Sequence, residues 1–257
     1  MSHRSKLGRA EEHLERLEQS VKRWKDSNPY SFPSSLDLQT REKVVYLKLE
    51  KPFPEEWSLM AGDVLFNMRA ALDHLAFALN VKGKAPVALS EGEIRSSQFP
   101  IYGDKVPSTS KLDSLIGCMD SVARTIIEDL QPYKHTDYRE HFLWALSVLN
   151  NVDKHRTLHV AATAKRKLRI TGVRNLHVGH IVSPDEFLND GSELARFGVM
   201  SAQDPTVDGE VSMEWDMLEC WPMDMPPGAI IPVDQGLRFI LERIRAAVLP
   251  PLEPFLC

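Results

Sequence analysis

The sequence predicts an α+β fold: a helical bundle, an antiparallel β-sheet formed mainly by the C-terminal half, and a closing C-terminal helix. Three observations carry this. Apolar residues recur at helical spacing through residues 55–80 and 112–130. Short β-like runs are grouped in residues 156–221 and do not alternate with helices. A last amphipathic stretch begins at Asp234. The expected organisation is a helical bundle over 1–155 with one strand near 41–50, an antiparallel β-rich region over 156–231, and a C-terminal helix over 232–257 that packs back on the bundle.

The first element spans residues 6–25. It is charged, but Leu7, Ala10, Leu14, Leu17, Val21 and Trp24 alternate at steps of three and four. That narrow stripe suits a helix lying across a bundle or pairing with a second copy. "NPYSFPSS" breaks it, and "REKVVYLKLE" (41–50) reads as a strand. Residues 55–80 carry the clearest helical period, through Trp57, Ala61, Val64, Leu65, Met68, Leu72, Leu75 and Leu79. A stretch rich in Pro, Gly and Ser follows, interrupted by "FPIY". Ser110 then caps a third helix that reaches Leu130, with Asp113 in its first turn. A fourth helix covers about 137–153. The β-like runs are "TLHVAATA", "KLRITGV", "LHVGHIV", "RFGVMSA" and "EVSMEWDMLECW", and residues 234–248 form the closing helix.

With 257 residues, 43% hydrophobic and 26% charged, the chain can bury a sizeable core and is not globally disordered. A net charge of −5 gives no overall field for nucleic acid, so any RNA contact needs a local patch. The obvious one, "KRKLR" at 165–169, reads as an exposed turn between strands. Cys118, Cys220 and Cys257 are far apart and odd in number, which suits a reducing compartment. No apolar stretch resembles a signal sequence or approaches the roughly 18 residues a bilayer crossing needs. The expectation is a cytoplasmic protein with no membrane partner.

The polar residues of "FNMRAALDHLAF" (66–77) and "LNNVDKHRTLHV" (149–160) fall within apolar helices. On the second helix Asp63, Asn67 and His74 share one flank. Arg69 and Asp73, one turn apart, share the other and can pair. Phe66 and Phe77 lie behind, which predicts burial on both sides. On the fourth helix Asp153 falls on the line of Phe142, Leu146 and Leu149, directed towards the core. A buried carboxylate needs partners, and Arg69, His74, Lys154, His155 and Arg156 qualify by type. The end of the fourth helix is therefore expected to meet the middle of the second around a polar cluster. That cluster is either a packing network or a functional site.

His155 and His159 have i, i+4 spacing, but "RTLHVAATA" reads as extended, and there is no H-E-x-x-H. No G-x-S-x-G, Walker A or G-x-G-x-x-G pattern is present, so neither a metal nor a cofactor is expected. What remains is metal-independent RNA cleavage. Arg69 and His74 form R-x-x-x-x-H, which resembles the signature of HEPN-type helical domains, many of them ribonucleases. The resemblance implies His74 as the proton-transfer group and Arg69 as the phosphate binder, with Asp73, Asp153, His155 and Arg156 in support. It also implies RNA as partner, a defence or toxin role, and a homodimer with its site where two bundles meet. One departure is Ala70, which stands where such nucleases carry a polar residue. A second resemblance, to a bacterial family without an assigned reaction, rests on R-x-A-L-D-H-L (69–75), F-P-I (99–101) and N-x-x-D-K-H-R (150–156). The alternative function is a non-catalytic interaction protein whose motifs form a buried packing network.

Overall fold

The structure is a computed structural model that describes residues 2–155, 161–171, 176–181, 187–188, 190–199, 212–220 and 232–256. Helices α1 (His3–Asp26) and α2 (Glu56–Lys84) pack against each other along their length. They run antiparallel: Lys6 reaches Asn67, and Ser20 at the far end accepts the Trp57 indole N–H at 2.9 Å. Trp24 stacks beside Phe53 and meets Trp57 edge-on, sealing that end.

The α1 stripe from Leu7 to Trp24 is buried throughout, against the chain's own α2 and α7 (Val233–Arg243). It is therefore not free for the second copy that the sequence suggested. On α2 the outward face differs from expectation in the opposite sense. Phe66 and Phe77 are exposed, in line with Leu59 and Val81, where burial on both sides was predicted.

The β structure also departs from prediction. Residues 30–49 hold four short strands where one was expected: β1 (Tyr30–Ser31), β2 (Ser34–Asp37), β3 (Glu42–Tyr46) and β4 (Lys48–Leu49). Further on come β5 (Ala161–Thr171), β6 (Leu176–Ile181), β7 (Phe187–Leu188), β8 (Glu193–Val199) and β9 (Ser212–Cys220). No single C-terminal sheet forms among the described residues. The strands divide into small antiparallel sheets ordered β1-β4, β2-β3-β8-β6 and β7-β5-β9. The four-stranded one takes half its strands from the N-terminal part, because β8 docks on β3 with Val44, Val45, Leu194, Ala195 and Phe197 all buried. The prolines read as a break leave the chain extended, and extended backbone can pair.

The predicted third helix is two, α4 (Thr109–Ile116) and α5 (Ser121–Asp129). Gly83 of α2 lies so close to the 118–120 backbone that a Cβ there would clash with the Cys118 carbonyl. The chain turns at this contact, and the Asp120 carboxylate starts α5 by accepting from Val122 N at 2.8 Å. After two short 3₁₀ turns, α6 (Phe142–His155) begins several residues later than expected. Helix α7 continues through a wider turn at Ile244–Val248 into α8 (Leu249–Leu252), where Pro250 and Pro251 lack the N–H groups a regular helix needs. Arg238–Glu18, Arg245–Glu11 and Arg4–Glu253 fork pairs fix this C-terminal segment along α1. Among the described residues, no helix is long and apolar enough to cross a membrane.

Helix α6 starts on a titratable cap. His141 is buried, its Nδ1 accepts from Leu143 N at 3.3 Å, and its carbonyl accepts the first helical bond, from Ala145. Burial, reinforced by His135 and Arg243, pushes this imidazole from 6.5 down to about 4. The unfolded chain thus binds the proton first. Stability should fall as pH drops from about 6.5 to about 4, by up to roughly 3 kcal/mol from this group. Melting temperature against pH measures it. His141→Asn, which keeps a capping oxygen without the titration, should flatten the slope between pH 4.5 and 6.5, and an unchanged slope would rule the assignment out.

Candidate functional site

Arg69 and Asp73 pair as their spacing predicts. Arg69 donates from Nη2 to Asp73 Oδ1 at 2.9 Å and from Nε to Oδ2 at 3.2 Å. The pair also holds the backbone of Phe99 from both sides. Arg69 Nη2 donates to the Phe99 carbonyl at 2.8 Å, and Asp73 Oδ1 accepts from Phe99 N at 3.1 Å. Phe99 itself is fully buried, so its peptide groups need partners inside the protein. The other end of the loop is fixed by Gln131, fully buried, which accepts from Tyr102 N at 3.0 Å and donates to the Pro100 carbonyl at 2.9 Å.

This clamped loop is one wall of a cleft of about 390 Å³. Arg69 and Asp73 of α2, Lys111 and Leu115 of α4, and Ser147, Asn150 and Asn151 of α6 complete it. Residues from all three sequence patterns, R-x-A-L-D-H-L, F-P-I and N-x-x-D-K-H-R, therefore line one space. The Lys111 ammonium lies 5.3 Å from the centre of the Tyr102 ring. Burial raises the Tyr102 pKa, so the phenol stays protonated and can donate.

The remaining predicted residues lie elsewhere. His74 is half-buried and lines a separate, larger groove of about 800 Å³ with His3, Phe77 and Leu256, and Asp73 borders both spaces. Five residues along a helix is about 140° of rotation, which carries the His74 ring away from the Arg69 cleft. Among the described residues the His74 ring has no hydrogen-bond or ion-pair partner. Asp153 does not reach Arg69 or His74. Its carboxylate lies against Gly62, where a Cβ would come within 2.5 Å of Oδ1. Gly62 is twelve residues before His74, about 18 Å of helical rise. The reason is direction: Asn150 faces Arg69 while Asp153 faces Gly62, so α6 runs antiparallel to α2 and its end travels away from His74. Burial and the neighbouring Asp63 raise the Asp153 pKa. His155 closes α6, but its side chain, and all of Arg156 and His159, lie outside the described residues.

Sequence reasoning missed three groups that build the cleft. Asn150 was visible only as the start of a motif. Lys111 and Gln131 carried no motif at all. Among the described residues no three His, Cys, Asp or Glu side chains cluster as metal ligands do. Compared with family models, curated proteins and solved structures, the chain matches none.

Two outcomes follow. Arg69→Ala leaves the Asp73 carboxylate and the Phe99 carbonyl without their donor, and should lower stability by about 2 kcal/mol in urea unfolding. Asp73→Asn keeps an acceptor for Phe99 N and should cost less, so equal losses would contradict the clamp. For Asp153 the contact with Gly62 decides the sign. Gly62→Ala should destabilise the wild type, yet in an Asp153→Ala background it should stabilise by up to about 1 kcal/mol, the ordinary helix preference of alanine over glycine. Additive effects in that cycle would mean that the carboxylate does not occupy the glycine's open side.

Proposed function

We propose that the chain is a binding protein that acts through the cleft between α2, the 98–102 loop and α6, with Arg69 and Asp73 as its frame. The observation that carries this is the commitment of Arg69. Its fork already holds Asp73 and the Phe99 carbonyl, and its cleft does not contain His74. An arginine bound this way sets a loop's position first, which favours the non-catalytic reading of the motif. The resemblance to the bacterial family with these three patterns fits the same reading, since its motifs line the cleft. A cytoplasmic setting suits Cys118, a free thiol hydrogen-bonded to Glu93.

Thermal-shift measurement against a library of small polar metabolites tests the proposal. At least one compound should raise the wild-type midpoint and fail to do so in Asn150→Leu. If nothing in the library shifts the wild type, the binding reading fails.

A second reading, HEPN-like RNA cleavage by a homodimer, draws support from a different surface. His74, without a partner among the described residues, sits on the outer face of α2 among Leu59, Phe66, Phe77 and Val81. That stripe is a face for a second copy, and pairing on it would bring two imidazoles together. Light scattering should then report a dimer that Phe77→Glu disrupts, and His74→Ala should abolish cleavage of single-stranded RNA in EDTA without lowering the melting temperature. A 29 kDa species alone, with RNA left intact, removes this reading.

A further inference from the structure

We infer that the cleft framed by Arg69 and Asp73 binds a mononucleotide, with Asn150 reading the base edge and Lys111 receiving the phosphate. This rests on the binding reading above and names its ligand class. The first support is Asn150. It is 4% exposed and lines the cleft, and its carboxamide has no hydrogen-bond partner among the described residues. Its amide group is open to the cleft rather than sealed in the core, since among the described residues the side-chain atom that is both buried and unpaired is Asn80 Oδ1, so Asn150 can meet a ligand directly. An Asn side chain offers an acceptor and a donor side by side, the complement of the adjacent donor and acceptor on a nucleobase edge.

The second support is the sign of the open groups. Asp73 is the one carboxylate among the lining residues, and it already accepts from Arg69 Nε, Arg69 Nη2 and Phe99 N. Its charge is matched by Arg69 and three of its roughly four acceptor sites are taken, so it offers a cationic ligand little unbalanced charge. The cations, in contrast, retain capacity. Lys111 Nζ has no carboxylate partner among the described residues, and Arg69 Nη1 makes no hydrogen bond there. The Arg69–Asp73 pair is neutral and Lys111, exposed at the mouth, adds one positive charge, so the balance of the cleft favours an anion. Its remainder meets Ile101, Leu115 and the Tyr102 ring, an apolar side that suits a flat base. At about 390 Å³ the cleft is near the lower end of ligand-pocket volumes, roughly 300 to 1,000 Å³, which fits one nucleotide.

Isothermal titration of the full-length chain with AMP, GMP, CMP and UMP tests this, with ribose 5-phosphate and inorganic phosphate as controls. At least one nucleotide should bind 10-fold or more tightly than either control. Asn150→Leu should weaken that nucleotide at least 10-fold and leave the phosphate control unchanged. Lys111→Ala should weaken it and flatten its salt dependence. Asn150→Ser serves in place of the leucine variant if that one does not fold, as judged by circular dichroism. Equal binding of phosphate and nucleotides would reduce the site to an anion site and overturn the assignment. A non-nucleotide ligand that depends on Asn150, with no nucleotide bound, would overturn the ligand class and leave the cleft standing. No ligand of any kind would overturn both.

Discussion

The backbone of Phe99 sets the constraint around which the site is built. Its side chain is fully buried, so its N–H and C=O leave water where no strand or helix neighbour can receive them. Two side chains one helical turn apart on α2 take the place of a strand partner. Arg69 gives the donor and Asp73 the acceptor, and their own charge pair holds both rotamers in the shape the peptide requires. Lysine could donate one bond there but not the fork. Gln131 repeats the device three residues on, with one carboxamide serving Tyr102 N and the Pro100 carbonyl. Between the two clamps the loop has little freedom, and the cleft inherits that rigidity.

Helix α2 can hold the clamp because it is itself held on several sides. It packs against α1, α6 and α7, and its close approaches use the absence of a side chain at Gly62 and Gly83. On its packed faces most polar groups find partners inside the protein, although Asn80 Oδ1 is buried without one. Asn67 bonds the Asp63 carbonyl, and Asn80 donates to Ser97 and to the Leu115 carbonyl. The arginine–carboxylate forks between α1 and the C-terminal helices are part-exposed, so each adds little stability and mainly fixes register.

Much of this was legible in the sequence, and the gaps have physical causes. Period gave α1, α2 and α6, because an apolar stripe is a direct consequence of helical geometry. The Arg69–Asp73 pair followed from spacing alone, since i and i+4 are neighbours on any helix. The target of that pair, a peptide 26 residues from Asp73, is a tertiary fact with no local trace. Asp153 was expected buried in the core; it lies against α2 but is half-buried, and spacing cannot say whether two helices run parallel or antiparallel, which places it at Gly62 and not at His74. The sheets were misread because strand pairing is non-local: β3 finds β8 across about 150 residues. Gln131 and Lys111 are common surface types whose roles depend on where the loop is brought.

The same geometry bears on what an R-x-x-x-x-H pattern means here. For one cleft to use both side chains in acid–base work on a phosphate, guanidinium and imidazole must converge on it. On a single helix they start about 140° apart at this spacing, and here Arg69 and His74 line different spaces with Asp73 between them. The arginine then has two possible uses, as frame or as half of a site completed by another molecule. Its Nε and Nη2 are already engaged, and it lines a space that Asn150, Lys111 and Tyr102 also line. His74 is not among the residues that line this cleft. The His74 face belongs to a separate question, whether the exposed stripe of α2 meets a second copy.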